Sequence, residues 1–171
     1  IGAGVRKSID ELEEAEVSSR QTAAAIEASG NAAQVSAGQQ EQLVDSYSKL
    51  AAIDDEVVAG GANILRTFQS IKGENFGLAL GASLDVAAAK NVELADAAGT
   101  VGRALESPAK AARVLRPLLG ELDEATQKQI TSMVEQGNKA GAQGVILAEL
   151  EKRYGGQAEA AVTGSQRMTV A

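Results

Sequence analysis

The chain has 171 residues, a formal net charge of -7 and a composition that is 44% hydrophobic but only 2% aromatic, so any core must be built from Ala, Val, Leu and Ile. Neither Cys nor His occurs, which excludes disulfides, thiolate or imidazole metal sites, Cys or Ser-His nucleophiles and a histidine proton switch. The acidic balance argues against an electrostatic grip on a nucleic-acid backbone, which needs Lys and Arg to displace counterions, and no apolar run approaches the ~20 residues of a membrane-spanning helix.

From Val5 to about Ser29, the residues Val5, Ile9, Leu12, Val17 and Ile26 recur at rough helical spacing, with Asp10, Glu11, Glu13 and Glu14 on the other faces. This pattern predicts an amphipathic helix. Gly30 and Asn31 end it, and the polar stretch Gln34 to Gln40 reads as a loop or frayed turn. Leu43, Tyr47 and Leu50 mark a second helix. After a break at Ile53 and Asp54, a third carries Val57, Ile64, Leu65, Phe68 and Ile71, with Asp54 placed to cap it and Asp55 and Glu56 in its first turn. Gly60 and Gly61 weaken its continuity, each costing roughly 1 kcal/mol relative to Ala.

Phe76, Leu80, Leu84, Ala87 and Ala88 define the next helix, which stops between Asn91 and Leu94, and Ala97, Val101 and Leu105 a short one after it. Ser107 before Pro108 is a start signal, because a hydroxyl can cap free amides while proline suits the first helical position. The helix it opens is expected to run from Ala109 to about Leu119 and to end at Gly120, with Pro117 in its last turn. Asp123 caps a helix bearing Thr126, Ile130, Met133 and Val134, stopped by Gly137 and Asn138. Ala142, Ile146, Leu150 and Tyr154 form the last stripe, closed by Gly155 and Gly156.

No segment alternates like a strand. The fold class is therefore all-α: several short helices joined by Gly-rich turns, forming a helical bundle or array, or in part an extended arrangement. Residues 1-38 are expected to be an N-terminal amphipathic helix and linker, 39-156 a helical module, and 157-171 the start of a following segment. Phe68, Phe76, Leu80, Val101, Leu105, Leu115, Ile130, Val134, Ile146 and Leu150 are expected to be buried. The chain starts at Ile1 without an initiator Met and is expected to be a fragment of something longer.

Four patterns bear on chemistry. Asp54, Asp55 and Glu56 supply oxygen ligands in principle, but they lack the alternation and distal glutamate of a calcium loop, so capping is the expected role. The acidic run Asp10 to Glu16 reads as a solvated face rather than an acid-base pair, since consecutive exposed carboxylates lack the burial that separates pKa values. Gly73, Gly77 and Gly81 follow no strand and precede no Gly-Lys-Ser or Gly-Lys-Thr, so a phosphate loop is excluded. Their spacing instead puts small residues on one helix face and permits close helix approach. Lys110, Arg113 and Arg116 form a positive stripe, expected to be a charged solvent face. No catalytic, cofactor-binding or metal-ligating residue is assigned, no cofactor is implied, and the chain is expected not to be an enzyme.

The string Ile64-Leu65-Arg66-Thr67-Phe68-Gln69-Ser70-Ile71, then Ala97-Ala98-Gly99-Thr100-Val101-Gly102-Arg103-Ala104-Leu105-Glu106-Ser107-Pro108, resembles blocks of bacteriophage and prophage tail length tape measure proteins. Leu115-Arg116, Glu124-Ala125-Thr126-Gln127-Lys128-Gln129-Ile130, Glu135-Gln136-Gly137-Asn138, Ala142-Gln143, Ile146-Leu147-Ala148-Glu149-Leu150-Glu151 and Tyr154-Gly155-Gly156 keep that family's order and approximate spacing. The resemblance extends more weakly through Ile53-Asp54-Asp55-Glu56 and covers well over half of the chain.

It implies a mostly helical structural protein that occupies the tail tube lumen, sets tail length, supports tail assembly and leaves with the DNA at infection. The implied partners are the tail tube protein, a tail assembly chaperone and tail tip proteins, together with self-association and without sequence-specific nucleic-acid binding. The implied location is the virion, inside the tail tube, after synthesis in the bacterial host cytoplasm. A competing expectation is a membrane-active ejection or channel module that delivers phage DNA across the host envelope, its amphipathic helices meeting the host membrane. The acidic charge weakens that alternative.

Overall fold

Short side-chain caps and left-handed terminators cut this chain into helices that follow one another with little intervening loop. A computed structural model describes residues 34–162, and the helix expected over Val5 to Ser29 lies outside the described residues, as do residues 163–171. In chain order the helices are α1 (Ala37–Ala51), α2 (Asp55–Arg66), α3 (Glu74–Lys90) and α4 (Leu94–Glu106), then a 3₁₀ turn (Pro108–Lys110), α5 (Ala111–Val114), α6 (Arg116–Leu119), α7 (Glu124–Glu135) and α8 (Lys139–Tyr154). Residues 157–162 are also helical, and no strand occurs among the described residues. The all-α expectation therefore holds.

The stretch Gln34 to Gln40, expected to be a loop, instead starts a helix. Ser36 and Gln39 make a reciprocal capping box: the Gln39 amide donates to Ser36 Oγ at 3.2 Å, and the Ser36 amide donates to Gln39 Oε1 at 2.9 Å. Two amides that would otherwise lack partners are satisfied at once, which outweighs the polar composition of the stretch. The expected boundary between residues 38 and 39 accordingly falls inside α1.

Asp54 does take the N-cap position of α2, but its side chain makes no capping hydrogen bond. The neighbouring Asp55 carboxylate accepts a hydrogen bond from Ser48 Oγ of α1, tying the two helices across their turn. Gly60 and Gly61 do not interrupt α2. Gly61 faces Leu94, whose Cγ would lie 2.8 Å from a Cβ at position 61, so the missing side chain admits the start of α4. The stripe expected to continue as helix to Ile71 ends at Arg66, where the amides of Thr67 and Phe68 tighten onto Ile64 and Leu65. Ile71 is buried nonetheless.

Asn91, in the left-handed region at φ 52°, ends α3. The single helix expected from Ala109 to Leu119 is three short turns instead, and Ser107 does not cap it with its side chain. Pro117 lacks the amide hydrogen needed to continue the ladder, and the backbone breaks at Leu115, which is itself buried. Asp123 caps α7 as expected, its carboxylate accepting from Thr126 N at 2.9 Å and from Thr126 Oγ1 at 2.6 Å. Asn138 does more than stop α7: its Oδ1 accepts from Gly141 N at 2.9 Å and caps α8.

In the assembled bundle α3 packs on α4 and α8, α2 on α4 and α1, and α7 on α8. One apolar cluster runs from Val35 to Ala158. Phe76, Leu80, Val101, Leu105, Leu115, Ile130, Ile146 and Leu150 are buried within it, as their helical spacing predicts. Phe68 and Val134, also expected inside, are half-buried against its edge. Past α8, Asp85 of α3 accepts from Gly156 N at 3.3 Å and Ala158 N at 2.9 Å, anchoring the start of helix 157–162 to the bundle.

Candidate functional site

The patterns singled out in the sequence lie apart in space. Asp54 and Asp55 are exposed at the α1–α2 turn with Glu56 half-buried, and no group of three or more Asp or Glu side chains placed to hold a metal occurs among the described residues. Lys110, Arg113 and Arg116 are exposed, Arg116 reaching Glu121 at 3.4 Å. The glycine face of α3 meets α1: a Cβ at Gly77 would stand 3.3 Å from Leu43 Cδ2, and one at Gly81 would stand 2.6 Å from Tyr47 Oη. Close approach is the role the spacing predicts. Gly73, the third member, serves differently, as the φ +55° residue that opens α3.

Two buried polar assemblies were not anticipated. In the first, Arg66 is 1% exposed at the end of α2. Its Nε donates to Gln40 Oε1, its Nη2 donates to the Val35 carbonyl at 2.6 Å, and its guanidinium lies 5.4 Å from the centroid of the Phe76 ring. Gln40 is fixed in turn by donating from Nε2 to Asn63 Oδ1 at 2.9 Å. The partners of this cation are neutral, so burial lowers the Arg66 pKa from its ordinary value. Nη1 makes no hydrogen bond. A spacing signal existed: Arg66 follows Val58 and Ala62 at intervals of four, on the face that turns inward.

In the second assembly, Gln143 of α8 is 1% exposed and serves three elements. Its Nε2 donates to the Leu105 carbonyl at 2.9 Å and the Ser70 carbonyl at 3.0 Å, while its Oε1 accepts from Asn75 Nδ2 at 3.0 Å. Glu106 closes the ring by accepting from Ser70 N at 3.1 Å and Ser70 Oγ at 2.7 Å, with Lys139 3.9 Å away. These groups are consumed in mutual hydrogen bonds that hold α4, α8 and the 67–73 loop together, an arrangement that specifies geometry.

An open groove of about 580 Å³ lies between α1 and the start of α3. Leu43, Tyr47, Leu78 and Val35 give it apolar lining, and Gln34, Gly73 and Gly77 also line it. Tyr47 is held by donating from its hydroxyl to the Gly77 carbonyl at 3.0 Å. Burial, followed by the negative charges of Asp85 and Glu151, raises the Tyr47 pKa and keeps the phenol protonated. A neutral, positioned phenol beside aliphatic side chains suits apolar packing. Comparison with known proteins yields no match at the level of family models, curated sequences or solved structures.

Proposed function

We propose that this chain is a folded helical module of a phage tail length tape measure protein, acting as a structural component of tail assembly within the tail tube. The observation that carries the reading joins sequence to geometry. Three of the sequence blocks that resemble the family, separated by tens of residues, meet in one partly buried assembly through Ser70, Glu106 and the buried Gln143. Long-range hydrogen bonding of that kind supports a module that works folded rather than as one extended ruler helix.

The distinction is large in length. Residues 34–162 would span roughly 190 Å as a continuous helix, against a folded radius of gyration of about 14 Å. In the longer protein proposed to carry this module, in-frame deletion of Ser107 to Gly156 is expected to shorten tails by clearly less than the ~75 Å that 50 helical residues represent, or to block assembly through lost partner contacts. Electron microscopy of the tails reads the outcome. Tails of unchanged length and normal infectivity would overturn the assignment.

A further inference from the structure

The corner between α1 and α2 turns without a residue suited to turning. Ala52 sits in the left-handed region at φ 49° and ψ 46°, and its amide and that of Ile53 both donate to the Ser48 carbonyl. An L side chain holds that conformation at a cost that glycine escapes. Ala52, Ile53 and Asp54 make the turn with neither glycine nor proline among them, and alanine is the best helix former. Asn91, which ends α3 in the same region, has a side chain that tolerates it. The two helices are also in phase. The buried residues Gln40, Val44, Ser48 and Ala51 of α1 and Val58, Ala62 and Leu65 of α2 fall at intervals of 4, 4, 3, 7, 4 and 3. Were residues 37–66 one unbroken helix, all seven would share a face.

We propose that this corner is a hinge, and that two copies of the chain exchange α1 by straightening it. Ala52 then takes the right-handed helical conformation, residues 37–66 become one helix, and α1 of each copy packs on α2 and α3 of the other. Straightening gives up the hydrogen bond from Ser48 to Asp55 across the turn. The contacts farther out are remade between chains: Gln40 Nε2 with Asn63 Oδ1, Arg66 with Gln40 and the Val35 carbonyl, and the Tyr47 hydroxyl with the Gly77 carbonyl. The closed and exchanged forms therefore differ mainly at the hinge, where relief of the left-handed residue and the added helical turn favour exchange. The entropy of joining two chains opposes it and weighs less as concentration rises. A second copy is the occupant because the surface that α1 leaves is shaped for α1. Gly77 and Gly81 leave room for Leu43 and Tyr47, and the buried Arg66 keeps its acceptors when a Gln40 and a Val35 return to it. The inference rests on the geometry of the corner and stands independently of the tail assignment.

The absence of cysteine makes the test direct. In the full chain, Glu41→Cys and Gly60→Cys place spin labels at exposed positions close to the facing pair Gln40 and Asn63, and a side chain at position 60 meets nothing within 4 Å. The labelled chain is refolded at high concentration with an excess of unlabelled chain, and monomer and dimer are separated. Double electron-electron resonance is expected to read a short distance in the monomer. In the dimer the labelled backbone positions are expected to stand about 28 Å apart, the rise of residues 41 to 60 along one helix. Ala52→Gly supplies the second readout. Glycine relieves the closed corner and lowers helix propensity in the straight one, at two hinges per dimer, so dimerisation is expected to weaken at least about tenfold while the monomer still folds. A dimer in which the labels keep the monomer's distance is a surface dimer and overturns the proposal. So does a parent chain that stays monomeric at millimolar concentration after refolding, or an Ala52→Gly variant that dimerises as well as the parent.

Discussion

The ring of Phe68 occupies the space that a side chain at Gly102 would need. Phe68 follows the end of α2 and Gly102 lies within α4, so the contact sets how closely the α2–α3 loop rides on α4. Any Cβ at position 102 must displace the ring. Gly102→Ala is expected to destabilise the fold by about 1–3 kcal/mol despite the better helix propensity of alanine. In a Phe68→Leu background the cost should fall, because the smaller side chain gives way. Urea denaturation of the two single variants and the double variant measures the coupling; strictly additive effects would contradict it.

Gln143 offers a second test. Replacing it with Leu removes the donor that the buried Gln143 side chain gives to the carbonyls of Ser70 and Leu105, with an expected cost of about 1–3 kcal/mol. Gln143→Glu should be worse near neutral pH, since a carboxylate would face those carbonyl oxygens. The order parent, Leu, Glu in denaturation midpoints is the predicted result, and a Glu variant as stable as the parent would refute the hydrogen-bond assignment.

Burial separates the consequences of truncating apolar residues. Leu150 is 1% exposed on α8, whereas Val57 is 45% exposed on α2. Leu150→Ala is expected to cost about 2–5 kcal/mol through lost transfer energy and a residual cavity. Val57→Ala should stay within about 0.5 kcal/mol. Comparable losses at both positions would mean that Val57 is covered by something beyond residues 34–162.

Stability should depend on pH through Asp123. The Thr126 hydroxyl, then the Thr126 amide, donate to its carboxylate and hold its pKa below the ordinary value of 3.8. A depressed folded-state pKa means that the unfolded chain binds the proton first. The contribution of Asp123 is therefore fully present above the unfolded value and is lost as pH falls through the lowered folded one. Asp123→Asn retains a capping oxygen without titrating. The stability difference between parent and variant should be constant from about pH 6 to 5 and shrink below about pH 4. A difference that is flat down to pH 2 would show that the hydrogen bonds do not depend on the charge.

What the sequence determined by itself is the local architecture. The helical period of apolar residues, the Asp123 cap, the stops at Gly120, Gly137 and Gly155 and the absence of any strand alternation act over three or four residues, and each is reproduced among the described residues. Phe76, Leu80, Leu150 and five others of the ten residues expected inside could be named for the same reason, since an apolar stripe is buried where its helix packs. Tertiary structure decided which polar groups went inside. Gln143 reaches Ser70 across 73 residues and Arg66 reaches Val35 across 31, and no local pattern encodes those distances. Asp54 shows the same limit from the other side: its position at the start of α2 is local and legible, but the hydrogen bond at that turn goes to Asp55, because Ser48 of the preceding helix lies beside it. Local geometry is set by neighbours in the chain, whereas satisfaction of a buried donor depends on whatever the packed helices bring within about 3 Å.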